Sequence, residues 1–258
     1  MSNQGKFTTN RKTPAEVVAW GSAGWEDDLD DHSNITISQG RIKPQVHTRP
    51  PSGITHWTFN DSEIQDTTIS DVWGDHNGTL HSVTTSVEGR SSDAYSFDGS
   101  GFIEFDRDIL SELSQTSFSI AIRVYRTGPG AIIGFISDNH DDYILLRQRS
   151  DYPNFRLSNQ LELDTPWATY TDRWVDIILV FSIETDSLTL YIENEQVDET
   201  TITNALPLDL TNERASIGRD PRSYDRGFHG RISDLRFYNK AITQDEVDRL
   251  YHTGSIIP

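Results

Sequence analysis

The feature that most constrains this chain is a strand running straight into a capped helix, between Gly227 and Gly254. In its first half, Ile232, Leu235, Phe237 and Tyr238 are the branched and aromatic residues that a pleated, half-buried surface selects. In its second half, Thr243 and Glu246 have the spacing of a capping box, in which each side chain satisfies an orphan backbone N–H of the other residue. Ile242 and Val247 are spaced as a hydrophobic staple, and Gly254 stands where a helix would stop. A final strand followed by a short capped helix closes a fold by pinning the end of the chain.

The preceding chain reads as β from Ile54 onward. His56-Trp57-Thr58-Phe59-Asn60 alternates aromatic residues as an opening strand, and Phe118, Ile120, Ile122 and Val124 form one buried face. Ala131 to Ile136, Tyr143 to Arg147 and Phe155 to Ser158 have strand lengths with turn residues between them. Trp174 to Phe181 and Leu188 to Ile192 read as a hairpin, its turn at Glu184-Thr185-Asp186-Ser187. Many short strands with a single helix predict an all-β fold, an antiparallel sandwich.

Several of these segments resemble the laminin-G-like, concanavalin A-like jelly-roll family. Phe228, Gly230, Ile232, Asp234, Leu235, Arg236, Tyr238, Asn239 and Ala241 match its closing signature in register, with Ile242 where the family usually has Leu. Trp57, Phe59, Asp71, Asn77-Gly78-Thr79-Leu80 and Phe97-Asp98-Gly99 match its opening strand, Asp-rich loop and following motif. Leu188-Thr189-Leu190-Tyr191-Ile192 matches a later strand, but Glu193-Asn194-Glu195 departs from the Asp-Gly usual after it. The resemblance covers residues 54–252. It implies a concanavalin A-like jelly roll over 51–258 with one short C-terminal helix, and leaves the N-terminal extension unexplained.

That extension, residues 1–50, is polar at its start, acidic at Glu26-Asp27-Asp28-Leu29-Asp30-Asp31, and ends in a linker at Thr48-Arg49-Pro50-Pro51-Ser52-Gly53. It is too small to bury a core of its own. Val17, Val18, Trp20, Trp25, Ile35 and Ile37 therefore need a surface from elsewhere. Two readings stand: an extra strand pair on the sandwich, or a docking and oligomerisation leader that engages other proteins.

Forty acidic against 22 basic residues give a net charge of −18. Asp supplies 27 of the acids, and Arg outnumbers Lys 18 to 4. Nucleic acid is excluded as an expected partner, because phosphate binding needs clustered basic charge. The acidity reads either as an ordinary soluble surface or as adaptation to high salt, where self-repulsion is screened. Cysteine is absent, so disulfides and thiolate metal sites are excluded. No apolar run approaches the ~20 residues of a membrane span, and no secretion signal opens the chain, so neither membrane insertion nor export by the usual amino-terminal route is expected.

Catalysis is not expected. Hydrolases of this fold usually carry Glu-x-Asp-x-x-Glu on one strand, so that the acids face the scissile bond together. No segment matches: the run at Glu26 ends in Asp, and Glu162-Leu163-Asp164 lacks the third acid. The resemblance implies one structural Ca²⁺ where the first and last strands meet, for which Asp61 and Asp234 are placed; a salt bridge or a capped turn is the other reading of Asp234. Asp138-Asn139-His140-Asp141-Asp142 is a second acidic cluster, without EF-hand spacing. A lectin site needs a flat aromatic to stack on a sugar and polar groups to read its hydroxyls. Tyr152, Trp167, Tyr170 and Tyr224 fall in loop-like stretches beside such groups and are the ligand-facing candidates, each readable alternatively as a packed rim residue.

The expectation is therefore a non-catalytic, calcium-stabilised module that binds a host surface glycan or glycoprotein. Architecture and composition together point to a virion component of a halophilic virus: a tail fibre, spike or capsid decoration, homo-oligomeric, held to other virion proteins through residues 1–50. The alternatives are a stand-alone carbohydrate-binding module or an extracellular or cell-surface adhesion protein and, less favoured, a glycoside hydrolase.

Overall fold

The computed structural model describes residues 49–74, 76–90, 92–105, 108–113, 116–137, 143–149, 152–157, 161–164, 170–202, 214–222 and 227–256. These all belong to the unit Val46–Pro258; the leader, Trp167, Tyr224 and the acidic loop at Asp138 lie outside the described residues. The strands in chain order begin with β1 (Gly53–Trp57), β2 (Ile64–Gln65), β3 (Thr68–Ile69), β4 (Gly78–His81), β5 (Thr84–Glu88) and β6 (Asp93–Asp98). Next come β7 (Phe102–Phe105), helix α1 (Asp108–Leu113), β8 (Phe118–Arg126), β9 (Gly130–Ile136), β10 (Tyr143–Arg149) and β11 (Tyr152–Leu157). The chain closes with β12 (Leu161–Asp164), β13 (Trp174–Ser182), β14 (Ser187–Ile192), β15 (Glu195–Thr201), β16 (Arg214–Ile217), β17 (His229–Tyr238) and helix α2 (Gln244–Thr253).

They form two antiparallel sheets. One runs β15-β14-β13-β8-β17-β6-β5, with β1 also on β17; the other runs β12-β11-β10-β9-β16-β7-β4-β3-β2. The closing strand is central to the first sheet. Its first half pairs with β6 and its second half with β1, and a bulge between Ile232 and Asp234 separates the two. The bulge shifts the alternation by one residue, so Ile232, Leu235 and Phe237 all point inward. Phe118, Ile120, Ile122 and Val124 on β8 and Val175, Ile177, Leu179 and Phe181 on β13 join them in the core, facing Phe135, Ile133, Ile144, Leu146 and Phe155 of the other sheet.

The expected hairpin is β13–β14. Expected as a single helix, the α content also includes α1, whose Ile109 and Leu113 are buried in the same core. Where the resembled family has Asp-Gly, Glu193 takes a left-handed φ of 65° and turns the chain from β14 to β15, at a cost of about 1 kcal/mol that glycine would avoid.

Candidate functional site

Half of the outer face of the first sheet is closed. Val247 and Leu250 of α2, with Ile242, Ile256 and Trp73, pack over Ala121, Ile178, Val180, Tyr191 and Tyr238. The capping box and staple that start α2 are both formed, and Gly254 ends it at φ 76°. Arg236 ties the helix end to the sheet, donating to the Gly254 carbonyl at 2.5 Å. The same guanidinium donates to the two oxygens of Asp234 at 2.8 and 2.9 Å, while His56 Nε2 lies 3.1 Å from Asp234 and the His56 ring packs on Trp73. Asp71 fixes the neighbouring loop by accepting from the backbone N–H groups of His56 and Trp73, both at 2.9 Å. Burial pushes the Asp71 carboxyl up, against those bonds.

Beyond the helix the face is left part-exposed by the described residues. Because Val124, Val175 and Ile232 point inward, their neighbours Tyr125, Trp174 and Arg231 point outward. Arg231 stands opposite Tyr125, and Tyr125 opposite Trp174; on the other side Ser96 faces Arg231 and Thr84 faces Ser96. Five adjacent strands thus carry one cross-strand row: two hydroxyls, a guanidinium and two aromatic rings. At about 4.8 Å per strand the row is about 19 Å long, the reach of a short oligosaccharide. Tyr125 and Trp174 meet edge to face with centroids 5.7 Å apart, and the Arg231 guanidinium lies 5.5 Å from the Tyr125 ring centre. Tyr125, Trp174 and Arg231 are all partly exposed.

A band of ion pairs borders the row. Arg123 holds Asp176 with two bonds, at 2.6 and 3.1 Å, and Arg90 reaches from the β5–β6 turn to the same carboxylate at 3.0 Å. Burial opposes the charge on Arg123, but Asp176 outweighs it and the guanidinium is held above its ordinary pKa. Arg173 donates to Glu193 at 3.1 Å. The surface offers ring faces to a sugar's C–H face and rigid polar groups to its hydroxyls.

The predicted residues fall in different places. Tyr170 is partly buried against the core under the Arg173 guanidinium, 4.9 Å away, just before Trp174. Tyr152 is not in a loop as expected: it opens β11 opposite Arg149. Asp61 accepts from the Ser86 hydroxyl, and its backbone N–H is 3.5 Å from Asp93 Oδ2. Asp234 is the salt-bridged carboxylate of the second reading. The Arg236 guanidinium and the His56 imidazole occupy its oxygens, and among the described residues no three His, Asp or Glu side chains gather as a metal cluster. The donor set at Asp234 does not fit a calcium ion.

Tyr125, Trp174 and Arg231 were not among the sequence candidates. Their signal was the phase of alternation in β8, β13 and β17, since any residue next to an inward one points out.

Over residues 97–248 the sequence matches the family model of the concanavalin A-like lectin/glucanases superfamily. The chain belongs to this superfamily. No curated protein matches the sequence. Among solved structures, this concanavalin A-like sandwich is similar to domain 4 of AbnA, a GH43 extracellular arabinanase from Geobacillus stearothermophilus, in complex with arabinotriose. The TM-score is 0.63 at 17% identity, covering 78% of this chain and 98% of that one. It is also similar to the binding domain of botulinum neurotoxin DC in complex with rat synaptotagmin II. There the TM-score is 0.61 at 12% identity, over 78% of this chain and 51% of the other, so the sandwich spans about half of that domain. A structure of botulinum neurotoxin type C, whose cell entry depends on interaction with two ganglioside molecules, gives 0.62 at 11% identity, over 78% of this chain and 51% of the other. At these identities the likeness is one of fold.

Proposed function

We propose that this chain is a non-catalytic binding module that holds a surface glycan on the open half of the outer face of the β5–β6–β17–β8–β13 sheet. The observation that carries the reading is the row Thr84, Ser96, Arg231, Tyr125 and Trp174, with its two adjacent part-exposed rings. Rings held by a sheet lose little freedom when a ligand stacks on them. The carboxylates nearest the row support a binding rather than a hydrolytic role: Asp176 and Glu193 are held by arginines and are poorly placed to move a proton. Arabinotriose and gangliosides as ligands named for two proteins of this fold are consistent with it. In its finer form the proposal is a virion surface component of a halophilic virus, the setting that the acidic, lysine-poor composition suits. Single sugar sites are weak, and a homo-oligomer would raise avidity.

The test is binding of the purified chain to a glycan panel and to intact halophile cells in molar salt. Trp174→Ala and Tyr125→Ala should each weaken binding about tenfold, a loss of about 1.4 kcal/mol per stacking ring. Loss on Trp167→Ala with Trp174→Ala silent would move the site to the stretch of chain around Trp167. Release of reducing sugar by the wild-type chain would replace binding with hydrolysis.

A further inference from the structure

The row also holds a cation that has no counter-ion among the described residues. Among the arginines on this face, Arg123 and Arg90 are bound to Asp176, Arg173 to Glu193 and Arg236 to Asp234. Arg231 differs from all four. Its contacts among the described residues are the Tyr125 ring and the Glu88 carbonyl, to which it donates at 3.0 Å; no carboxylate lies within ion-pair distance. A guanidinium has five N–H donors in a rigid fork, and one of them serves Glu88. The others lie on a half-exposed surface of a chain whose 40 acidic residues would supply a partner at most positions.

We infer that the glycan held by this row is anionic, and that Arg231 grips an oxyanion on the sugar while Tyr125 and Trp174 stack against the ring or rings beside it. The inference rests on the binding role proposed above and adds the ligand's chemical class. The geometry suits it: the aromatic ring under Arg231 and the Glu88 carbonyl fix the plane of the fork, so a bidentate pair with a carboxylate or sulfate costs little further ordering. Ser96 and Thr84 continue the row past Arg231 with hydroxyls for the next residue of the chain. The net charge of −18 repels an anion at long range, whereas direct contact at one arginine does not depend on that field. Such a site works best where salt screens the repulsion, since the Debye length falls to about 3 Å at 1 M.

The experiment is calorimetric titration in about 1 M NaCl with three probes of similar length: an oligogalacturonate, its carboxyl-reduced neutral counterpart, and a sulfated dextran oligosaccharide. The variants are Arg231→Gln, Arg231→Lys and Trp174→Ala. Arg231 makes no ion pair among the described residues, so thermal unfolding of Arg231→Gln should stay close to that of the wild type. The wild type should bind at least one charged probe about tenfold or more tightly than the neutral one. Which charged probe it prefers separates a uronate from a sulfate ester. Arg231→Gln should erase the preference by weakening the charged probes about tenfold more than the neutral one, Arg231→Lys should keep part of it, and Trp174→Ala should weaken every probe. Equal binding of charged and neutral probes, or a preference that survives Arg231→Gln, would overturn the inference and leave the binding role standing. If no probe and no panel glycan binds, the binding role falls, and this inference with it.

Discussion

Asp234 sits between a guanidinium and an imidazole, and that placement decides what its carboxylate can do. Burial alone would raise its pKa, but Arg236 first and His56 second outweigh burial and hold it well below the usual carboxylate range. A folded pKa below the unfolded one contributes stability that is present above the unfolded value of 3.8 and lost as pH falls below it. Asp234→Asn leaves the buried Arg236 without its counter-charge and should cost about 3 kcal/mol at neutral pH. At pH 3 the loss should shrink, because the wild type has then given up part of the same stabilisation. Urea unfolding of both proteins at the two pH values checks this; an equal loss at both would contradict it. The sequence left Asp234 open between a metal ligand and an ion pair for a plain reason. Arg236, two residues away on the same strand face, is visible in the chain, but His56 comes from a strand 178 residues earlier.

Elements built from local signals were legible at their ends. The box at Thr243 and Glu246 is written within four residues, and both of its bonds form: the Thr243 N–H donates to Glu246 Oε2 at 2.9 Å and the Glu246 N–H to Thr243 Oγ1 at 3.4 Å. Thr243→Ala should cost about 1 kcal/mol, seen as a lower denaturation midpoint with an unchanged m-value; an unchanged midpoint would mean that the packing of Val247 and Leu250 alone holds α2. Elements that depend on distant partners were less legible. Tyr152 read as loop-like, yet it opens β11; β12 pairs with β11 only from Asn154 onward, so Pro153 sits where β11 has one neighbour and its missing N–H costs no ladder bond. Helix α1 has six residues, too few for a periodic apolar pattern to declare itself.

For the molecule as a whole, strand spacing and the closing signature revealed two antiparallel sheets, whereas the order of strands within them did not follow. That order creates the candidate site. Arg231, Tyr125 and Trp174 are far apart in the chain and become neighbours only because β17, β8 and β13 lie side by side. Helix α2 then divides the sheet's outer face, covering one half with Val247, Leu250 and Trp73 and leaving the half that carries the row. The central claim is that the open half is the ligand face. The most direct test is to follow backbone amide resonances of the isotope-labelled protein while titrating the best-binding glycan of the panel. The account predicts that the largest shifts cluster at Thr84, Ser96, Tyr125, Trp174 and Arg231 across five strands. Shifts confined to β10, β11 and β12, with those five positions unmoved, would contradict it and place the ligand on the other sheet.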